Sequence, residues 1–270
     1  MESSTMESPT IESSKIELYE SDALSKLNHF VQEDRKFDLI HSDLPFNTGR
    51  KQTGAVSVYD DSYQSSEIFR EWLRPHVEAM SKLLTPNGVL ALQLDDREHF
   101  SLRSICEDVF GSSRYCGTII WSYETGGKKR NYWWSYKHQY IVLYKSLTCE
   151  ADFPLFNSTA VPTIERRSPA KKVKNAAGAE VVYQGDKQMS SVWSINWSTT
   201  HPDRTGYPSQ KPIEIAKNLI SVHTPENGWV LDPFCGSGTT GHAAQQLGRN
   251  AVLIDQNGDA IKVAKRRLHA

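Results

Sequence analysis

Apolar residues follow two alternating rhythms along most of this chain. The runs "IELYE" (16–20), "KFDLIHSD" (36–43) and "GVLALQLDD" (88–96) have the length and aliphatic content of strands, and the last two are apolar enough for burial on both faces. Between them, residues 23–31, "SEIFREWLRPHVEAMSKLL" (66–84) and "EHFSLRSICEDVFG" (98–111) carry apolar positions at helical spacing. "TPNG" after the second and Gly111 at the end of the third are stop signals. "RYCGTIIWSYE" (114–124) and "HQYIVLYKS" (138–146) predict two further strands in succession.

The rhythm then breaks. Residues 147–208 are rich in Ser, Thr, Pro, Lys and Arg and show only short strand-like pieces. It resumes with a helix in "KPIEIAKNLISVHT" (211–224), a strand in "GWVLDP", a loop in "FCGSGTTG", a helix in "HAAQQLG", a strand in "NAVLIDQ" and a helix in "DAIKVAKRRLHA". The opening "MESSTMESPTIESS" has no apolar period and predicts a disordered tail over residues 1–15. The expected organisation is one α/β domain in two halves, 16–146 and 209–270, separated by an irregular insertion over 147–208.

At 270 residues the chain can bury a substantial core. Cys106, Cys116, Cys149 and Cys235 form no C-x-x-C pair, so neither a structural metal site nor a disulfide framework is expected. No run reaches membrane-spanning length and no signal-peptide core is present, so an intracellular protein, cytoplasmic or nucleoid-associated, is expected. The formal net charge of -1 hides an uneven distribution. Residues 1–120 hold 12 Lys/Arg against 20 Asp/Glu, while residues 121–211 hold 13 against 7. Such a basic middle suits either a solvated loop or a polyanion surface.

Two motifs carry chemistry. In "LDPFCGSGTTG" a glycine-rich loop leaves a strand toward a helix, where backbone can approach a ligand closely, and Asp255 ends the next strand, where an acid can bind ribose hydroxyls. Taken alone, such a loop is as readily a tight turn. Because only 15 residues follow Asp255, the neighbouring parallel strands must come from the N-terminal half, which makes the expected strand order circularly permuted. In "SDLPFN", Asp43 offers a carboxylate, the Leu44-Pro45 segment a backbone carbonyl and Phe46 a flat face. The bland alternative is an Asp-x-Pro turn at a strand end.

"DPFCGSGTT", the "SQKP" about twenty residues before it and "SDLPFN" near the N-terminus, in this order, resemble the permuted, beta-class amino-methyltransferases of DNA. The resemblance implies a Rossmann-like doubly wound sheet, S-adenosylmethionine as cofactor, double-stranded DNA as partner and methylation of an exocyclic amine on a flipped base, adenine N6 first. Cytosine N4, an RNA or protein substrate, and a weakly active nucleic-acid-binding member are the alternatives. Catalytic positions then fall on Asp43, Leu44, Pro45 and Phe46. Cofactor positions fall on Asp232, Phe234, Cys235, Gly236, Ser237, Gly238, Thr239, Thr240 and Asp255, with Asp22 and Lys211 added; Asp22 is equally explained as a helix N-cap and Lys211 as a solvated side chain. Leu44 stands where the family usually has Pro, a departure expected to loosen the loop, so that Pro at this position should maintain or raise activity. Lys128, Lys129 and Arg130, interleaved with Tyr132, Trp133, Trp134 and Tyr136, and a second cluster including Arg166, Arg167, Lys171 and Lys172, are the expected DNA contacts, with the DNA surface beginning near residue 124. Trp193 and Trp197 are assigned to packing. A homodimer and a separate restriction endonuclease are further partners that the resemblance allows.

Overall fold

The computed structural model describes residues 14–124, 134–164, 171–174, 180–183, 187–198 and 200–269. Its elements, in chain order, are β1 (Ile16–Glu20), α1 (Ala23–Gln32), β2 (Phe37–Asp43), β3 (Arg50–Thr53), β4 (Val58–Asp61), α2 (Ser66–Lys82), β5 (Leu84–Leu94), α3 (His99–Phe110), β6 (Tyr115–Ser122), β7 (His138–Lys145), β8 (Thr163–Ile164), β9 (Lys171–Lys174), β10 (Glu180–Tyr183), β11 (Lys187–Gln188) and β12 (Val192–Ser194). The last part of the chain supplies α4 (Ile213–His223), β13 (Trp229–Asp232), α5 (Thr239–Gln246), β14 (Asn250–Asp255) and α6 (Gly258–Leu268).

The main sheet runs β1-β14-β13-β2-β5-β7-β6-β12. Strands β1, β14, β13, β2 and β5 are parallel, and β7 lies antiparallel between β5 and β6. Strands covered on both faces need apolar residues at nearly every position, and residues 89–92 of β5 and 251–254 of β14 are such runs, all fully buried. Their side chains alternate between two cores. Val252 and Ile254 join a cluster with α1, α2 and α3, while Ala251 and Leu253 join one with α4, α5 and α6. In α2, Phe69, Leu73, Val77 and Met80 recur every three or four residues and are fully buried. At about 1.5–3 kcal/mol per large buried apolar side chain, that stripe is what fixes the helix on the sheet.

The permuted order is present: β13 and β14, from the end of the chain, lie between β1 and β2 from its start. The strand order reverses between β13 and β2, and ligands of doubly wound sheets bind at such a switch point, beyond the carboxyl ends of the strands. Four acids are placed at that edge. Asp43, Asp232 and Asp255 end β2, β13 and β14, and Asp22 follows β1 by two residues.

Three local features depart from the sequence pattern. "TPNG" lies inside β5, which starts at Leu84 and pairs with β2 through a register shift, because α2 has already ended at Lys82. The β3–β4 hairpin falls on polar residues that gave no strand pattern. Strand β12, within 147–208, extends the main sheet by pairing parallel with β6, and Trp193 on it is buried. No helix among the described residues is long and apolar enough to cross a membrane.

Candidate active site

A cavity of about 300 Å³ opens at the switch point. Its wall includes Asp22, Asp43, Leu44, Pro45, Lys211, Asp232, Phe234, Cys235, Gly236, Ser237, Thr239, Thr240 and Asp255, so the N-terminal motif and the C-terminal loop share one space. Phe46 and Gly238 lie off the wall. Lys128, Lys129, Arg130, Arg166 and Arg167 lie outside the described residues, as do Tyr132, Trp133 and the tail through residue 13; Lys171 and Lys172 are on β9, paired with β10.

The glycine-rich loop is held from several directions. Asp232 is buried at the end of β13 and accepts from Ser42 Oγ (2.7 Å), Thr240 Oγ1 (2.6 Å) and the Phe234 N–H (3.2 Å). Asp255 accepts the N–H groups of Gly236 and Asn257, both at 2.8 Å. Burial pushes both carboxyl groups above the usual carboxylate range. Gly238 caps α5 in a left-handed conformation (φ 73°), and a Cβ there would stand 2.8 Å from Ala264 Cβ on α6. Glycine is therefore required by packing at that position.

The N-terminal motif is built differently. Asp43 ends β2 with Oδ2 accepting from the Lys211 ammonium and with Oδ1 covered and, among the described residues, without a donor. Burial pushes its carboxyl up to about 6 despite the opposing Lys211 charge. Leu44 does not loosen the loop: its side chain is buried in the core below the cavity and its N–H donates to Gln93 O (3.1 Å). A Pro there would lose both contacts. Beyond Phe46, Asn47 adopts φ 52° and binds Asp61 through its N–H (3.0 Å), Glu98 through Nδ2 (2.8 Å) and the Tyr63 N–H through Oδ1 (2.9 Å). Those bonds pin the far end of the motif.

The N6/N4 DNA methylase family matches residues 37–266. The chain belongs to that family. The methylase is 30% identical over 250 residues to the Type II methyltransferase M.HpaI of Haemophilus parainfluenzae, covering 92% of this chain and 72% of that protein. It is 25% identical over 250 residues to the DNA adenine methyltransferase YhdJ of Escherichia coli (strain K12), covering 92% and 80%. Among solved structures, the M1.HpyAVI–SAM complex superposes with a TM-score of 0.65 at 23% identity, over 94% of this chain and all of that one, a likeness of fold. The activity of the methylase is transfer of a methyl group to an exocyclic amine of DNA, with S-adenosylmethionine as cofactor.

The cavity of the methylase suits that cofactor. Trp72, His76 and Phe234 pack ring to ring, with centroids 4.5–5.6 Å apart, and offer aromatic surface beside Asp22 for an adenine. Gly236, at φ 48°, leaves open backbone where a Cβ would approach Tyr207 to 3.1 Å. Asp22 also caps α1, accepting Ser25 N–H (2.9 Å) and Oγ (2.8 Å) on Oδ1, and the Ser25 N–H holds its carboxyl below the usual range.

Several wall residues gave no signal in the sequence. Trp72 and His76 read only as one face of α2, and Tyr207 as part of the irregular stretch. His41, two positions before Asp43, faces the same cavity; its Nδ1 lies 3.2 Å from Ala91 O and burial pushes the ring down to about 4. Arg267 is buried on α6, donating to Thr239 Oγ1 (2.7 Å), Ser237 Oγ (3.3 Å) and Asp203 (2.5 Å), and so ties the loop to the segment that leads out of the insertion. Its position in a run of basic residues at a helix end hides this role, since such residues ordinarily meet solvent and the helix dipole.

Proposed function

We propose that this methylase modifies adenine at N6 in double-stranded DNA, with Asp43 as the group that acts on the target amine. The observation that carries the reading is the meeting of Asp43 with Asp255 and the glycine-rich loop around one cavity. An exocyclic amine is a poor nucleophile because its lone pair is delocalised into the ring. An acceptor aimed at its hydrogens favours the localised lone pair as positive charge develops on nitrogen. When bound, S-adenosylmethionine would supply an electrophilic methyl on sulfur, whose carbon–sulfur bond breaks to leave the neutral thioether as the carbon–nitrogen bond forms. Asp43, ionised above about pH 6, accepts the amine hydrogen bond and takes the proton that nitrogen sheds as it gains the methyl. The Leu44 carbonyl is the second acceptor in this reading, held by the buried Leu44 side chain below and by Pro45 after it. Asp255 binds the cofactor ribose and Asp22 its adenine amine. An amine inside the duplex cannot reach such a cavity, so the base is extruded, with Phe46 as its stacking face.

The basic stretch 121–211 is the proposed DNA surface. Trp134 is largely exposed and Tyr136 partly so, aromatic area beside that charge. Adenine is favoured by Asp at the first position of the motif and by the likeness to an adenine methyltransferase. Cytosine N4 is the second reading, since both amines present two hydrogens to the same acceptors. Nucleoside mass spectrometry of DNA methylated in vitro is expected to show N6-methyladenine. N4-methylcytosine without it would overturn the choice of base and leave the site intact.

A further inference from the structure

The chain invests more structure in aiming Lys211 than a solvated lysine needs. Ser209 before it takes φ 60°, a conformation uncommon outside glycine and asparagine, and Gln210 is buried, accepting from Thr205 N–H and Oγ1 (both 2.8 Å) and donating to Asp203 O (2.7 Å). Pro212 follows with fixed φ and starts α4. The result is a lysine side chain only 13% exposed whose ammonium meets Asp43 Oδ2 and Ser209 O (3.1 Å) and lies 4.7 Å from the centroid of the Phe46 ring.

We propose that Lys211 is a positioning residue for methyl transfer that acts through Asp43, fixing one carboxylate oxygen and supplying the counter-charge that no other described residue gives this cavity-lining group. The inference rests on the reading of Asp43 as the acceptor of the target amine. It goes beyond the role in cofactor binding implied by the "SQKP" resemblance, because the contact observed is with the catalytic acid.

Among the described residues, the charges around the pair leave Lys211 as the compensating cation. Asp61 on β4 and Asp232 on β13 both oppose ionisation of Asp43, as burial does. His41 on β2, beside Lys211, is held neutral by burial, and Asp95 beyond β5 is a further acid in the field of Lys211. Tyr59 on β4, whose hydroxyl donates to Ser209 Oγ (3.0 Å), is kept protonated by burial and by the neighbouring acids, Asp43 among them. Among the described residues, removing the ammonium therefore leaves burial, Asp61 and Asp232, each of which disfavours the ionised form. An opposite charge in contact lowers a carboxyl pKa by about 1–3 units, and that is the shift to be lost.

The test is single-turnover methyl transfer from pH 5 to 9 at saturating S-adenosylmethionine and DNA, with the KM for the cofactor measured separately. Wild type is expected to lose activity below about pH 6. Lys211→Met should move that limb upward by about 1–3 units, and Lys211→Arg should return it most of the way. If Lys211→Met does not fold, Lys211→Gln keeps a donor for Asp43 but no charge, and its limb must move as well. A limb that stays near pH 6 in Lys211→Met while the cofactor KM rises would assign Lys211 to the ligand alone and overturn the proposal. Wild-type turnover in Asp43→Ala would instead overturn the site itself, a distinguishable outcome.

Discussion

At the ends of β13 and β14, Asp232 and Asp255 have both carboxylate oxygens engaged by hydroxyl or backbone donors; at the end of β2, Asp43 has one oxygen on a lysine and the other without a donor. All three are acids at the same edge of the same sheet. Fully bonded carboxylates fix backbone, and the two of them set the glycine-rich loop before any ligand arrives. A carboxylate oxygen covered from solvent and left unused is costly, and the cost is sustained where that oxygen has something to accept. On the proposed function, the contrast separates the binding side of the cavity from its reacting side.

The largest expected effect comes from removing the reacting acid. Asp43→Ala should lower single-turnover methyl transfer by about 10²–10⁴-fold, the range of a positioned acid or base, while calorimetry shows cofactor affinity nearly unchanged. Equal losses in both would place Asp43 on the binding side and erase the contrast. Removing a structural acid should do the reverse. Asp232→Ala leaves the Ser42 and Thr240 hydroxyls and the Phe234 N–H without their acceptor. A stability loss of about 2–4 kcal/mol is expected in urea unfolding, with methyl transfer reduced only through the disturbed loop.

The sheet, its permuted order and the two motifs were legible in the sequence for physical reasons. Buried parallel strands demand continuous apolar runs, and a strand-to-helix loop that approaches a ligand demands glycine. The rest was not, because its determinants are long-range. Arg267 finds Asp203 across 64 positions and Lys211 finds Asp43 across 168. Neither pairing leaves a local pattern. Trp72 and His76 satisfy helical periodicity whether they face a core or a cavity. The β3–β4 hairpin escapes notice because a polar hairpin over a cavity has no apolar face to alternate.

Leu44 is the residue at which the chain departs from its motif. The expectation that Pro would suit this position considered only backbone stiffness. The structure adds a buried side chain and a backbone hydrogen bond to Gln93 that Pro cannot donate. Leu44→Pro is therefore expected to cost about 1–3 kcal/mol in urea unfolding and to lower methyl transfer, through displacement of Asp43, without changing cofactor affinity. Activity at or above wild type would mean that the bond to Gln93 contributes nothing to the reacting side.

The smallest effect tests the fourth acid, which belongs to both a helix cap and the cavity wall. Asp22 caps α1 through Oδ1, which takes both Ser25 donors, and it also lines the cavity. Asparagine caps a helix about as well as aspartate, so Asp22→Asn should leave stability within about 0.5 kcal/mol. The same change replaces one carboxylate oxygen by an amide nitrogen and removes the charge that would accept from an adenine amine. If Asp22 binds the cofactor, calorimetry should show S-adenosylmethionine weakened by about 3–10-fold, the worth of one ordinary hydrogen bond. Unchanged affinity would assign Asp22 to the cap alone and leave Asp255 and the loop to hold the ligand.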